Sequence, residues 1–310
     1  MVSTVTGTEQ IPEEFLAACV QFDVRPGDVA ANLAAMRAGV DEAVAAGSRL
    51  CVLPELWSTS FLQKLEPTVL HEAKGAEEDV RELSATHGLV IVGSTVEAEG
   101  EQIFNTARVY ENGNLLDSYR KIHLFSPNLE HRFHCSGTEP RIVQTKLGRL
   151  GVLISYDLRF PELSRYYFHK GAEMLVVPAQ WPEARAQHWR TLLRARAIEN
   201  EIFVLGCNRT GQEPNQKSGE PMAFPGDARI VDPTGEVLAA GSGDAGAVVA
   251  PIELRKVRTM RRILPIEQDL RPSVYRHMFE EAWPLIVQRS REANDTTAQA
   301  PPGPRQDEGA

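Results

Sequence analysis

The segment Gly151-Val-Leu-Ile-Ser155-Tyr-Asp-Leu-Arg-Phe-Pro161 is the most informative part of this sequence. Its first four residues form an apolar run, which is typical of a strand buried on both faces. The run ends at Ser155, and the residues that follow indicate a sharp polar turn. Ligands in α/β proteins bind at the carboxyl ends of strands. Ser155 is therefore a candidate nucleophile, a candidate substrate contact or a small residue that suits the turn.

The same pattern of short β-like runs and helical runs extends over most of the chain. For example, the helical stretch Val29–Ala46 separates the apolar runs Phe15–Phe22 and Leu50–Leu53. Two further pairs of β-like runs flank Asn112-Gly113 and Asp232-Pro-Thr-Gly235, which are typical hairpin turns. The pattern predicts an α/β fold in which helices cover mixed sheets.

One folded domain is predicted between residues 15 and 290. Residues 1–14 are predicted to be a flexible N-terminus, and residues 291–310 a disordered tail, because the tail is rich in Pro, Gly and polar residues and lacks periodicity. The chain has 310 residues, of which 42% are hydrophobic and 24% are charged, so it can bury a sizeable core.

Composition disfavours several classes of partner. The net charge of −9 disfavours binding to nucleic acid or to an anionic membrane, and no apolar run is long enough for a membrane span. No signal peptide is visible. The widely spaced cysteines form no CxxC pair, which favours reduced thiols and a cytoplasmic location; they are Cys19, Cys51, Cys135 and Cys207.

Polar side chains follow three of the predicted strands. Glu55 follows Cys-Val-Leu-Pro, Lys121 follows Ser-Tyr-Arg, and Ser155 follows Gly-Val-Leu-Ile. Each residue taken singly also fits a solvated loop or a surface position. Brought together, they would supply a base, a cation for a developing oxyanion, and a nucleophile.

These three residues lie in segments that resemble, in order and spacing, the signatures of the nitrilase superfamily of carbon–nitrogen hydrolases. The segments are Pro54-Glu55-Leu-Trp57, Tyr119-Arg-Lys121-Ile-His-Leu-Phe125 and Gly151-Val-Leu-Ile-Ser155-Tyr-Asp-Leu-Arg-Phe-Pro-Glu162. The resemblance extends from about Phe15 to about Tyr275. Within the superfamily, the chain is most similar to the ω-amidase-like group.

The resemblance implies a four-layer αββα sandwich and a homodimer or higher homo-oligomer that needs no metal or organic cofactor. It also implies that Glu55 is the general base and acid. Lys121 and the backbone N–H of Tyr156 would stabilise the tetrahedral intermediate, and Glu130 would orient Lys121 and the substrate. The family has a cysteine nucleophile at the position of Ser155.

Two further residues are candidate substrate contacts. Arg159 can clamp a substrate carboxylate, although it can equally pair with Asp157 or Glu162 to hold the turn. Trp181 can form a wall of the pocket or can simply pack in the core. The stretch around His134 and Cys135 lacks a second ligand pair at zinc-site spacing, so no metal site is predicted.

Serine in place of cysteine is a large chemical change. A thiol has a pKa near ~8.5 and readily yields a thiolate, whereas an alcohol is far harder to ionise. A barrier higher by roughly 4 kcal/mol would slow the reaction about a thousandfold. Ser155 is either an introduced change that traps substrate or the natural residue of a non-catalytic binding protein. The presence of Glu55, Lys121 and Glu130 favours the first interpretation.

The sequence thus predicts hydrolysis of the carbon–nitrogen bond of a small carboxylic acid amide, with release of ammonia and with weak or absent turnover in the Ser155 form. The partner is a small-molecule amide. An N-carbamoyl compound or, less favoured, a nitrile is the alternative substrate class. A pseudoenzyme that binds a small acid or amide is the alternative function.

Overall fold

The computed structural model describes residues 11–215 and 217–298, with side chains described as far as residue 290. The chain divides into two compact units, one ending at Leu264 and one beginning at Pro265. Residues 1–10 of the predicted flexible N-terminus lie outside the described residues.

The first unit consists of short strands joined by helices and hairpins. Its strands are β1 (Glu14–Gln21), β2 (Ser48–Val52), β3 (Val90–Glu99), β4 (Gln102–Glu111), β5 (Asn114–Arg120), β6 (Ile142–Thr145), β7 (Gly148–Val152), β8 (Met174–Ala179), β9 (Phe203–Asn208), β10 (Thr210–Pro214), β11 (Pro221–Pro225), β12 (Arg229–Val231), β13 (Val237–Ala240) and β14 (Gly246–Glu253). Its helices are α1 (Val29–Ala45), α2 (Pro67–His87), α3 (Pro161–His169), α4 (Ala186–Asn200) and α5 (Leu254–Ile263).

The strands form two mixed six-stranded sheets and one hairpin. The first sheet has the order β14-β1-β2-β3-β4-β5, and the second has the order β13-β12-β9-β8-β7-β6. The central pairs are parallel, namely β1 with β2, β2 with β3, β7 with β8, and β8 with β9. Strands β10 and β11 form a separate two-stranded hairpin.

The layers follow from which side chains share a core. Alternate residues of β1 point in opposite directions, as the pleat requires. Ala17 and Cys19 pack between the two sheets with residues such as Val152. Ala18 and Val20 pack instead against helices α1 and α2. Helices α3 and α4 cover the outer face of the second sheet. The predicted α/β sandwich of two sheets between helix layers is confirmed.

Several strands of both sheets end at the same place. Glu55 lies shortly after β2, Lys121 directly after β5, Ser155 shortly after β7, and Gln180 directly after β8. The N–H of Glu55 donates to the carbonyl of Ala179, so the strand ends of the two sheets meet. The fold therefore brings together side chains that are far apart in sequence.

The second unit contains α6 (Ile266–Asp269) and α7 (Pro272–Ala298). Helix α7 continues beyond Arg291, where the tail was predicted to begin, and residues 299–310 lie outside the described part of the chain. Within the described residues, no helix combines the length and the apolar character needed to cross a membrane.

Candidate active site

The three predicted strand-end residues line one pocket. Glu55, Lys121 and Ser155 share it with Glu130, as the motif resemblance implied. The pocket holds about 510 Å³ of space, part of it open to solvent.

Lys121 lies between two carboxylates at the floor of this pocket. Its Nζ donates to Oε1 of Glu55 at 2.7 Å and to Oε2 of Glu130 at 2.8 Å. Lys121 and Glu55 are each only 1% exposed. Glu130 also accepts a hydrogen bond of 2.6 Å from the N–H of Phe125, which fixes the loop that carries it. The ammonium is therefore held in a single place by charged, water-excluded partners.

The burial of this cluster shifts two pKa values in ways that suit proton transfer. Burial raises the pKa of Glu55, and the charge of Glu130 raises it further, although Lys121 and the N–H of Gln180 oppose the shift. Burial alone would lower the pKa of Lys121, but the charges of Glu130 and Glu55 outweigh burial and raise it. Lys121 thus remains an ammonium, while Glu55 can accept and release a proton.

Two neutral amides complete the surroundings of Glu55. Asn105 on β4 donates to Oε1 of Glu55 at 2.8 Å. The backbone N–H of Gln180 donates to Oε2 of Glu55 at 3.0 Å, and the Gln180 side chain donates to the Glu55 carbonyl at 2.8 Å. Sequence reasoning did not identify either residue as part of the site, because neither amide carries a recognisable local signal.

Ser155 lies on a strained turn that exposes it to the pocket. Its φ of 44° is in the left-handed region, which a residue with a Cβ seldom adopts. A nucleophile at the end of a strand commonly lies on such a turn. The structure therefore presents the hydroxyl of Ser155 as the pattern of the sequence predicted.

Asp157 connects the serine turn to the lysine segment. Its carboxylate accepts hydrogen bonds from the N–H of Ile154 at 3.0 Å and from the hydroxyl of Tyr119 at 2.8 Å. It also accepts from the N–H of His123 at 2.9 Å. Tyr119 and His123 lie two residues before and after Lys121, so one buried carboxylate fixes both segments. Asp157 is part of the turn that follows Ser155, and its hydrogen bonds to the lysine segment are a tertiary feature.

Arg159 faces the pocket and does not pair with a carboxylate among the described residues. Its guanidinium lies over the ring of Trp181, with Cζ 4.6 Å from the centroid, and near His188 Nδ1 at 3.3 Å. Burial lowers the pKa of Arg159, and the nearby charge of Arg185 adds to that effect. The alternative in which Arg159 pairs with Asp157 is not what the structure shows.

Trp181 and Tyr156 both line the pocket and also pack. Trp181 is 3% exposed, and its indole N–H donates to the carbonyl of Arg185 at 2.8 Å. Tyr156 contacts Phe125 with 5.0 Å between ring centroids. The structural and pocket-lining interpretations of Trp181 therefore both hold.

The outer wall of the pocket comes from segments that the sequence did not single out. Arg185, which precedes α4, is exposed at the pocket wall. The β10–β11 hairpin supplies Glu213, Met222 and Phe224. These residues form the outer wall of the pocket, and no local motif marks them.

The stretch around His134 is part of the loop that bears Glu130. His134 is buried against Phe61, with 5.9 Å between ring centroids, and burial lowers its pKa. Over residues 11–215 and 217–290, no group of three or more His, Cys, Asp or Glu side chains could hold a metal ion.

Comparison with known proteins gives consistent results. The carbon–nitrogen hydrolase family model matches residues 16–262. A 2-oxoglutaramate amidase of Bacillus subtilis is 34% identical over 260 residues, which cover 83% of this chain and 98% of the relative. A chloroplastic omega-amidase of Arabidopsis thaliana is 30% identical over 260 residues, which cover 79% of this chain and 69% of the relative.

A solved structure agrees with these sequence relatives. The crystal structure of a carbon–nitrogen hydrolase from Helicobacter pylori G27 is similar with a TM-score of 0.76 and 25% identity, and the match covers 86% of this chain and 98% of that one. The family match spans both sheets and every residue of the Glu55–Lys121–Glu130–Ser155 cluster. The chain therefore belongs to the carbon–nitrogen hydrolase family.

Proposed function

We propose that this pocket binds the amide of a small carboxylic acid that carries a second, free carboxylate, and that the site is built to cleave the amide with release of ammonia. The observation that carries the proposal is the buried Lys121 between Glu55 and Glu130, in one pocket with Ser155. The relatives named 2-oxoglutaramate amidase and omega-amidase support this substrate class.

The reaction would proceed through an acyl-enzyme. The nucleophile at position 155 attacks the amide carbonyl carbon while Glu55 accepts its proton. The tetrahedral oxyanion faces the ammonium of Lys121 and the N–H of Tyr156. The C–N bond then breaks as Glu55 passes the proton to the departing nitrogen, which leaves as ammonia. Water, deprotonated by Glu55, then attacks the acyl carbon, the bond to the nucleophile breaks as Glu55 returns the proton to residue 155, and the acid is released.

The free carboxylate of the substrate would be bound by Arg159. Its guanidinium faces the pocket and lacks a carboxylate partner among the described residues. Stacking on Trp181 holds the group in place, which reduces the entropy lost when a ligand binds. Arg185 places a second positive charge at the pocket wall.

Ser155 gives the second candidate function, a protein that binds such an acid or amide without turnover. An alcohol beside a carboxylate base is a poor nucleophile because Glu55 is a much weaker base than the imidazole of serine hydrolase triads.

N-carbamoyl compounds and nitriles remain alternative substrate classes. We also propose a homodimer, on the basis of the motif resemblance, and a cytoplasmic location, on the basis of the cysteine pattern.

One substitution separates the two functions. Ser155→Cys restores the nucleophile of the family, so we expect ammonia release from 2-oxoglutaramate to increase by a factor of about a thousand or more over the serine form. The double variant Ser155→Cys with Glu55→Gln is the matched control and should stay inactive. Failure of Ser155→Cys to cleave any member of a panel of amides, nitriles and N-carbamoyl compounds would favour the binding protein.

A further inference from the structure

We propose that Gln180, held by Arg209 and Ser60, fixes the direction of the Glu55 carboxylate, so that Gln180 and Arg209 are positioning residues for proton transfer. The consequence for catalysis rests on the proposed function. The geometry itself is independent of which substrate the pocket takes.

Gln180 contacts Glu55 at two points. Its backbone N–H donates to Oε2 of the carboxylate at 3.0 Å, and its side-chain Nε2 donates to the Glu55 carbonyl at 2.8 Å. The other carboxylate oxygen, Oε1, accepts from Lys121 at 2.7 Å and from Asn105 at 2.8 Å. Because each oxygen has its own donors, rotation of the Glu55 carboxylate would break hydrogen bonds on both sides.

The side-chain amide of Gln180 has one favourable orientation. Its Oε1 accepts from Nη1 of Arg209 at 3.1 Å and lies 3.1 Å from the hydroxyl of Ser60. A guanidinium is a donor only, so a flipped amide would place its NH₂ group against Arg209 and leave the Glu55 carbonyl without a donor. Arg209 therefore keeps the side-chain NH₂ of Gln180 on the Glu55 carbonyl, and this bond ties residue 180 to Glu55 where its backbone N–H donates to the carboxylate.

Arg209 is itself held by several acceptors. It is fully buried, and its guanidinium donates to Oε2 of Glu213 at 2.6 Å and to Oδ1 of Asp23 at 2.9 Å. Its Nε donates to the carbonyl of Thr210 at 3.0 Å, and its Cζ lies 4.4 Å from the centroid of the Phe224 ring. Apolar residues often replace buried ion pairs without loss of stability, so we assign Arg209 a directional role.

The expected consequence is a change in the protonation of Glu55. The charged groups that face its carboxylate are Lys121 and Glu130, and the nucleophile at position 155 shares the pocket. The N–H of Gln180 stabilises the ionised carboxylate and lowers its pKa. A displaced Gln180 would withdraw that donor while Lys121 and Glu130 stay in place.

The test uses the full chain with Ser155→Cys and measures alkylation of the introduced thiol by iodoacetamide as a function of pH. Peptide mass spectrometry assigns the label to position 155. Burial raises the pKa of Cys51 to about 12 and raises that of Cys207 well above its ordinary value, so these two thiols stay protonated. The rate at position 155 follows the ability of Glu55 to accept the thiol proton.

The variant is Gln180→Met, which keeps the backbone N–H and most of the side-chain volume but removes the hydrogen bonds of the amide. Without the amide, residue 180 is no longer tied to the Glu55 carbonyl, so its backbone N–H should withdraw from the Glu55 carboxylate. We therefore expect the acid limb, the low-pH part of the alkylation profile, to move to higher pH by about one unit, since one unit corresponds to about 1.4 kcal/mol, the size of one hydrogen bond to a charged group. The matched control is Gln144→Met, the same exchange at an exposed position on β6 that does not line the pocket, which should leave the limb in place.

The inference is overturned if Gln180→Met folds, as judged by circular dichroism, and its acid limb coincides with that of the parent. If Gln180→Met does not fold, the acid limb of Arg209→Lys is compared with that of the Ser155→Cys chain instead. This variant keeps the buried positive charge but loses the guanidinium N–H that donates to Gln180. A shifted limb in a chain that cleaves no amide would contradict the proposed function and support the positioning role. Amide cleavage by a chain whose acid limb is unshifted would support the proposed function and contradict the positioning role.

Discussion

Ser155 has a backbone conformation that a residue with a Cβ seldom adopts, and this strained turn positions its side chain. The left-handed φ of 44° turns the chain immediately after an apolar run, so that the side chain lines the pocket instead of the core. Serine and cysteine differ little in size, and either fits this turn. The difference lies in acidity, because Glu55 can take a proton from a thiol far more readily than from an alcohol.

Arg159 is the residue from which we expect substrate selectivity. In the Ser155→Cys chain, Arg159→Met should raise KM for 2-oxoglutaramate by about 10- to 100-fold, because a charge-assisted hydrogen bond contributes roughly 1.5–3 kcal/mol. Steady-state kinetics would measure this change. An amide that lacks a carboxylate serves as control, and an equal loss for both substrates would contradict a carboxylate-binding role.

The protonation of Glu55 should determine the low-pH side of the activity profile. Only the ionised carboxylate accepts a proton, and burial raises its pKa above the ordinary 4.5. Activity of the Ser155→Cys chain should therefore fall, as pH decreases, at a midpoint above 4.5. The pH dependence of kcat/KM measures this midpoint, which belongs to the coupled cluster of Glu55, Lys121 and Glu130. A midpoint at or below that of an ordinary glutamate would be inconsistent with the buried cluster.

Strand β7 requires glycine at position 151, because there is no room for a side chain there. A Cβ at Gly151 would lie 2.6 Å from the ring of Tyr167 and 2.7 Å from Leu175. The ring of Tyr167 packs there because its hydroxyl donates to the carbonyl of Val152. Close approach of α3 to β7 thus supports the turn that carries Ser155.

We expect Gly151→Ala to destabilise the fold by about 1–3 kcal/mol, because the core around it is already filled. Urea denaturation would measure the change in the free energy of unfolding. Gly75→Ala in α2 is the matched control, since nothing lies within 4 Å of the added Cβ. The control should stabilise by about 0.5–1 kcal/mol, as a helical glycine is replaced. Equal effects of the two substitutions would refute the packing argument.

At the scale of the whole molecule, the helix layer over the second sheet leaves large apolar side chains exposed. Tyr166 on α3 is 39% exposed, and Ile198 on α4 is 49% exposed. The two helices follow the Ser155 turn and the Trp181 segment, both of which line the pocket, and the motif resemblance implies that subunits pack through helices next to the site. This layer is the surface on which we expect a second copy to pack.

Sedimentation equilibrium should give twice the 34.3 kDa of one chain. Tyr166→Arg should shift the equilibrium towards the monomer, because an arginine in an apolar interface loses its hydration. Leu115→Arg on β5 is the control, an exposed apolar residue on a different sheet. A chain that stays monomeric at all concentrations, or dimers equally weakened by both substitutions, would argue against this interface.

The sequence by itself determined the α/β class, the hairpins and the identities of Glu55, Lys121, Glu130 and Ser155. Strand periodicity and turn chemistry are local properties of the chain. Glu55, Lys121 and Ser155 each lie within a short motif at a strand end, and Glu130 was predicted from the family resemblance of the loop after Lys121. These features could be read without knowing what lies opposite them.

Only the tertiary structure decided what surrounds those residues. Asn105 lies on β4, Gln180 directly after β8 and Arg209 directly after β9. Their roles arise from hydrogen bonds between residues distant in sequence, such as Asn105 to Glu55, Gln180 to Glu55 and Arg209 to Gln180. The orientation of a buried carboxylate depends on donors that the sheets bring together, and no local pattern encodes that arrangement.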